Sequence, residues 1–281
     1  MSWSPRDQEV YNEIEMWKQT LNEVSGNDLT NVYSKWIERS FSLLPEEIKK
    51  ELFSHIDTSL FHIHSTMQGF QLQQDERESI LRTAKAFDDT VIQIEDIRNL
   101  SIDQLNYLSL QQSGRHRLYS FIQGGIAGSG GAAAFISDLI ALLLINIRAI
   151  QFTAAAYGRD VHTPYEMTIA LKLFHASTLP KKFQGEAWDE LVDTLSSVQS
   201  DYFFNGSDKL TNERWLEGPG LQLFKTLAIR MFKNKRAGGY PVISMAIGAA
   251  ANYQLTRNVT EYAERFYQYR YLIEKTNQNS Y

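Results

Sequence analysis

Gly124-Gly-Ile-Ala-Gly-Ser-Gly-Gly-Ala-Ala-Ala134, followed by Ser137-Asp138 and the run Leu139-Ile-Ala-Leu-Leu-Leu-Ile-Asn-Ile147 that continues to Tyr157, holds almost no charge. From Leu118 to Gly158 the charged side chains are Asp138 and Arg148 alone. Ser137-Asp138 predicts a helix start and Gly158 a natural stop, because glycine adopts the left-handed turn that ends helices at no steric cost. Counted from Asp138 to Tyr157 the helix has 20 residues, about 30 Å at ~1.5 Å per residue. That is the thickness of a bilayer core and equally a plausible length for a central helix of a globular core.

The small residues ahead of that helix have two readings. Gly124 and Gly128 are four apart, as are Ala127 and Gly131, so one helix face offers small side chains on which another helix packs closely. A phosphate-binding loop is not supported. It needs Gly-Lys-Ser/Thr after its glycines, whereas Gly130-Gly131 leads into Ala132, and the preceding Arg117-Leu-Tyr-Ser-Phe-Ile reads as helix rather than strand. A second uncharged stretch, Ala237 to Thr256, is followed by a helical pattern through Val259, Tyr262, Phe266, Tyr269 and Leu272.

Towards the N-terminus every signal is helical. Ser4-Pro5-Arg6-Asp7 is an N-cap with proline at the first helical position, and Val10, Ile14, Trp17 and Leu21 follow on one face. Val32, Trp36, Ile37, Phe41 and Leu44 predict a second helix, Pro45-Glu46-Glu47 opens a third, and a fourth is expected over residues 73 to 97. Ser101 to Gln104 and Thr163 to Glu166 are capping boxes. The latter opens a helix expected to reach about Ser177, and another is expected around Ala187 to Phe203. No stretch alternates with the period of a strand. The fold class expected is all-α, a multi-helix bundle around a Gly/Ala-rich apolar core. Residues 1–110 are expected to form an acidic helical layer, 111–275 the core and 276–281 a frayed tail, within one compact unit.

Charge and composition narrow the chemistry. Residues 1 to 110 hold 10 basic and 19 acidic side chains, and 111 to 281 hold 18 and 14, so the two parts differ in sign. The acidic part repels nucleic acid, and no nucleic-acid partner is expected. Cysteine is absent, which removes thiolate chemistry and Cys-based metal sites. Of His55, His62 and His64, the last two point to nearly opposite sides of a helix and only His55 and His62 share a face, so no metal is expected, and no cofactor. No Gly-x-Ser-x-Gly elbow is present for a serine hydrolase. The N-terminus lacks the basic and apolar regions of a secretory signal, which fits a cytoplasmic protein, peripheral at the membrane if it is there at all.

Three readings of the uncharged blocks stay open: a soluble core, peripheral membrane contact, and spanning. Arg148 near the middle of its helix weighs against spanning, because a charge at the bilayer centre is costly. Leu221 to Arg236 is amphipathic and basic, and its Lys225, Arg230, Lys233, Lys235 and Arg236 are the membrane-surface candidates. Gly124, Gly128 and Gly131 are the helix-packing candidates. Asp138, Arg148, Asn252 and Arg257 are the polar residues set in apolar surroundings, where a buried charge must find a partner.

The central block with Ser137-Asp138-Leu139, Arg148 and Tyr157-Gly158-Arg159-Asp160, and the later Ile247-Gly-Ala-Ala-Ala-Asn-Tyr253 with Thr256-Arg257 and Ala263-Glu-Arg-Phe266, resembles the EcsC family of bacterial proteins. That resemblance implies an association with membrane transport or secretion by gene context, and supplies no catalytic residues. The function expected is a non-enzymatic accessory protein associated with a membrane or its transport machinery. The alternative is an enzyme, or a small-anion or lipid binder, using a pocket between residues 124–158 and 237–257.

Overall fold

A computed structural model describes residues 3–21, 29–50, 74–126, 132–199, 225–229 and 241–277. Among them the chain is all-α and contains no strand. The helices are α1 (Pro5–Leu21), α2 (Leu29–Ser42), α3 (Gln74–Lys85), α4 (Ile102–Ile126), α5 (Ala132–Ala156), α6 (Pro164–Thr178), α7 (Lys181–Gln199) and α8 (Pro241–Asn277). A 3-10 helix over Ile94–Asn99 precedes α4, and 46–50 and 225–229 are short helical segments.

Local chemistry sets most boundaries. Ser4 and Asp7 cap α1 reciprocally: the Asp7 amide donates to Ser4 Oγ at 3.1 Å and the Ser4 amide to Asp7 Oδ2 at 2.8 Å. The Ser101 amide donates to Gln104 Oε1 at 2.8 Å, and the Glu166 amide donates to Thr163 Oγ1 at 3.2 Å ahead of Pro164. Gly158 ends α5 in the left-handed region, φ +72°. Its amide donates to Ala155 O at 2.9 Å and that of Arg159 to Ala154 O at 3.0 Å, the paired bonds of a glycine-terminated helix.

Three boundaries differ from expectation. Helix α5 begins at Ala132, so Ser137 and Asp138 lie in its second turn and do not cap it. Ala132 to Ala134, the best helix formers, extend the helix upstream. Helix α3 ends at Lys85 instead of running to 97. Asp88 Oδ1 accepts from the Thr90 amide at 2.9 Å and the Thr90 hydroxyl at 2.7 Å, a side-chain turn that competes with helix continuation. Helix α7 starts at Lys181, a turn and a half before Ala187.

Helix α8 is the spine of the bundle, and α1, α4, α5 and α6 all pack on it. Helix α5 packs against α4, α6, α8 and the 3-10 helix on one side, and α7 joins α6 to α1 and α2. Leu139, Leu142, Leu143, Ile150 and Ala155 of α5 are fully buried. Trp188 of α7 sits among Trp17, Tyr262, Phe266 and Tyr269 with ring centroids 5.1 to 6.2 Å apart, all edge-on, the geometry that aromatic quadrupoles favour.

His175 on α6 reports on this core through pH. Burial pushes its imidazole down to about 4 from the usual 6.5. The unfolded chain therefore binds the extra proton first, and stability falls as pH drops from 6.5 through 4. The expected loss across that window is on the order of 3 kcal/mol. Urea midpoints at pH 7, 5.5 and 4 should show it, and His175→Leu should flatten that part of the profile. An unchanged profile in the variant would refute the assignment.

Candidate functional site

The densest polar chemistry in the described residues is at the corner after α5, where Tyr157-Gly158-Arg159-Asp160 meets the starts of α4 and α6 and the last turns of α8. Gly158 lies against the 3-10 helix, and Arg98 Nε donates to its carbonyl at 2.7 Å. The Tyr157 hydroxyl donates to Asn106 Oδ1 at 2.6 Å, and Gln268 Nε2 donates to the same oxygen at 2.9 Å.

Next to that corner runs a chain of charges, buried except at Glu274, whose side chain is 34% exposed. Arg159, 4% exposed, pairs through Nη2 with Glu274 Oε2 at 2.6 Å. Arg270 Nε reaches Glu274 Oε1 at 2.9 Å and its Nη1 reaches Glu166 Oε1 at 2.6 Å. The Tyr267 hydroxyl donates to Glu166 Oε2 at 3.2 Å, and the Arg270 guanidinium lies 5.4 Å from the centre of the Tyr165 ring. Burial alone would lower Arg270, but Glu166 and Glu274 more than offset it and hold it above the ordinary arginine value. Burial alone would raise Glu274, and Arg159 and Arg270 bring it below the ordinary carboxylate value. Burial pushes the Tyr267 hydroxyl up, and Glu166 adds to the shift.

Two arginines face two carboxylates, and every oxygen of Glu166 and Glu274 is taken. The two charges of each sign balance, and the cluster ties α6, the α5–α6 corner and α8 together as a clasp.

A polar seam continues from this clasp between α4 and α8, which run antiparallel. Arg117 Nε and Nη2 donate to Thr260 Oγ1 at 3.0 and 2.9 Å. Ser120 Oγ donates to the Asn252 carbonyl at 2.9 Å and accepts from Thr256 Oγ1 at 2.7 Å. Glu264 lies partly buried in α8, where burial pushes its carboxyl up against the opposing pull of Arg265 and Arg117.

The residues singled out from sequence occupy separate settings. Asp138 is half-buried on α5, ten residues from Arg148 on the same helix, and the Arg148 guanidinium lies 5.7 Å from the centre of the Phe152 ring. Asn252 is buried in the α4–α8 seam, whereas Arg257 is exposed. Gly124 is in the last turn of α4, and Gly128 and Gly131 lie outside the described residues. Lys225 Nζ lies 5.3 Å from the centre of the Phe41 ring, while Arg230, Lys233, Lys235 and Arg236 lie outside the described residues, as do His55, His62 and His64. Among the described residues no group of three or more His, Asp or Glu is placed to hold a metal. A cavity of about 360 Å³ lies between α3 and α4, lined by Thr83, Ala86, Phe87, Asp103, Gln104 and Tyr107.

The members of the clasp were not evident from sequence as a site. Glu166 reads there as a capping residue and Arg159 as part of the Tyr157-to-Asp160 stretch, while Arg270 and Glu274 are not singled out.

The sequence pattern described as the EcsC protein family matches residues 8–272. The chain belongs to the EcsC family. Its two uncharged blocks and the Tyr157-to-Asp160 corner all lie inside the matched span. This EcsC protein is also 24% identical over 275 residues to the uncharacterized protein YdbA of Bacillus subtilis (strain 168), covering 94% of this chain and 92% of that one. No solved structure matches it.

Proposed function

We propose that this EcsC protein is a non-enzymatic accessory protein that docks peripherally, at the cytoplasmic side, on a membrane or a membrane transport or secretion protein. The observation that supports the reading is the outward side of α5. Ile140, Ala141, Leu144 and Ile145 are partly exposed there, with Ser137 and Asp138 before them and Arg148 after them. Four apolar side chains on a half-exposed face, ending in one arginine, suit contact with the boundary between headgroups and acyl chains, where an arginine keeps its charge in the polar layer.

Docking fits better than spanning. Ser137–Ala156 is long and apolar enough to cross a bilayer, with a mean hydropathy of 1.8, yet 72% of that window is buried inside the protein. To span, α5 would have to give up its contacts with α4, α6 and α8.

Ala141 and Ile145 are partly exposed, and neither belongs to the core cluster of the described residues, so Ile145→Glu tests the reading with little risk to the fold. In flotation assays with anionic vesicles the variant should lose at least about fivefold in bound fraction, with stability within ~1 kcal/mol of wild type. Native-level wild-type protein that stays wholly in the soluble fraction at low salt would end the proposal.

A further inference from the structure

The cavity between α3 and α4 is walled by two aromatic rings that meet at a right angle. Phe87, just beyond the end of α3, and Tyr107 of α4 lie edge-on, with planes 89° and ring centroids 5.6 Å apart. Thr83, Ala86, Asp103 and Gln104 complete the lining, and the volume of about 360 Å³ suits a small ligand. Two ring faces set this way form a corner. A cation seated in it lies within about 6 Å of both centroids, the reach over which the negative face of a ring attracts positive charge.

Charge at the rim has the sign that a cation needs. Asp103 stands one turn before Tyr107 on α4, and its side chain is 57% exposed. Arg6 Nε donates to its Oδ1 at 2.9 Å, and among the described residues no hydrogen bond goes to its Oδ2. Arg6 is itself shared, since it also meets Glu9 at 2.6 Å and Glu13 at 3.7 Å, while Glu13 takes Arg265 at 3.2 Å. Two arginines thus serve three carboxylates, which leaves one negative charge in excess beside the cavity. Around Phe87 the chain adds Lys85, Asp88 and Asp89, again one negative charge in excess. An anionic ligand is repelled here and a cation attracted.

The hydrogen bonding on offer narrows the type of cation. Gln104 Oε1 already accepts from the Ser101 amide at 2.8 Å and hydroxyl at 3.0 Å, and the Thr83 hydroxyl donates to the Ser79 carbonyl at 3.0 Å. A primary ammonium brings three N–H donors and would leave most of them unmatched, which is costly out of water. A quaternary ammonium has none, and its methyl groups suit the ring faces and the Ala86 side chain. We propose that this cavity binds a quaternary ammonium group, carried by a free solute or a lipid head, between the faces of Phe87 and Tyr107 and against the carboxylate of Asp103.

The test titrates tetramethylammonium chloride against the full chain, with sodium chloride at equal ionic strength as the blank. Its methyl protons should show saturation transfer from the protein and saturate with a Kd of about 1–10 mM. Asp103→Asn and Tyr107→Leu should each weaken binding at least about fivefold, with melting temperatures close to wild type because both side chains are more than half exposed. Tyr107→Phe keeps the ring and should bind like wild type. Arg6→Ala frees the first oxygen of Asp103 and should tighten binding about twofold, a gain that a purely structural role for the Arg6–Asp103 pair does not produce. Choline should bind at least about tenfold better than its neutral carbon isostere, dimethylbutanol. A signal that does not saturate by about 100 mM, equal binding of choline and the alcohol, or unchanged affinity in Asp103→Asn and Tyr107→Leu would overturn the proposal. Phosphatidylcholine vesicles that displace tetramethylammonium assign the group to a lipid head, and vesicles that leave it bound assign it to a free solute.

Discussion

Arg270→Ala is expected to destabilise the protein by about 3–5 kcal/mol, the range seen when one partner of a buried ion pair is removed and the other is left behind. Arg270 is 8% exposed and touches both carboxylates of the clasp, Glu166 at 2.6 Å and Glu274 at 2.9 Å. Glu274 would keep Arg159. Glu166, 6% exposed, would keep only the Tyr267 hydroxyl at 3.2 Å. Urea denaturation of the full chain measures the loss, and Arg6→Ala supplies the comparison. Arg6 meets Glu9 and Asp103 at 2.6 and 2.9 Å, but all three are exposed and such pairs contribute within ~1 kcal/mol. If Arg270→Ala costs no more than Arg6→Ala, the clasp is not what joins α6 to α8. A second check is the Glu166→Gln, Arg270→Ala double variant. Once the orphaned charge is gone it should lose at least about 1 kcal/mol less than the two single losses added together.

The pH dependence of the clasp follows from Glu274. Its folded carboxyl lies below the ordinary 4.5, so the stability it supplies is present above that pH and is lost as pH falls through the lowered value. This acid limb begins below 4.5 and so overlaps only the acid end of the window assigned to His175, which runs from 6.5 to about 4. The two are separable by titrating His175→Leu first.

The helices were legible in the sequence because their ends are satisfied locally. Ser4, Ser101, Thr163 and Gly158 each complete hydrogen bonds within about five residues, and such short-range chemistry leaves a mark in residue order. Where a boundary depended on competition it was harder to read. Asp88 can continue α3 or close a turn on Thr90, and only the packed chain decides. The clasp left no mark at all, because its partners are 104 and 115 residues apart in sequence. Asp138 and Arg148 drew notice because they stand out against an apolar run. Glu166 and Arg270 sit among tyrosines and charges typical of a helix surface, yet fold into the interior together with Arg159, with Glu274 at its edge. Conspicuous charge in a sequence measures contrast with neighbours along the chain, and burial is set by neighbours in space.

Gly158→Ala is expected to cost about 2–5 kcal/mol, although it adds one methyl group. A non-glycine residue in the left-handed region costs roughly 1–2 kcal/mol, and overpacking adds about 1–3. The clash is concrete: a Cβ there would lie 2.6 Å from Arg98 Cγ, 2.8 Å from the Arg98 backbone nitrogen and 3.1 Å from the Ile94 carbonyl. Cγ can swing aside, but the backbone atoms belong to the 3-10 helix and cannot move without it. Displacing them also strains the 2.7 Å bond from Arg98 to the Gly158 carbonyl, and with it the placement of Arg159. Gly114→Ala is the same chemical change where a Cβ meets open space, and it should be neutral or stabilising by about 0.5–1 kcal/mol. Gly158→Asn separates the two costs, since asparagine tolerates the left-handed region yet carries the same Cβ. If Asn recovers most of the alanine loss, backbone conformation dominates. If it is as damaging as alanine, the contact with Arg98 does, and the glycine is there because the 3-10 helix leaves no room beside it.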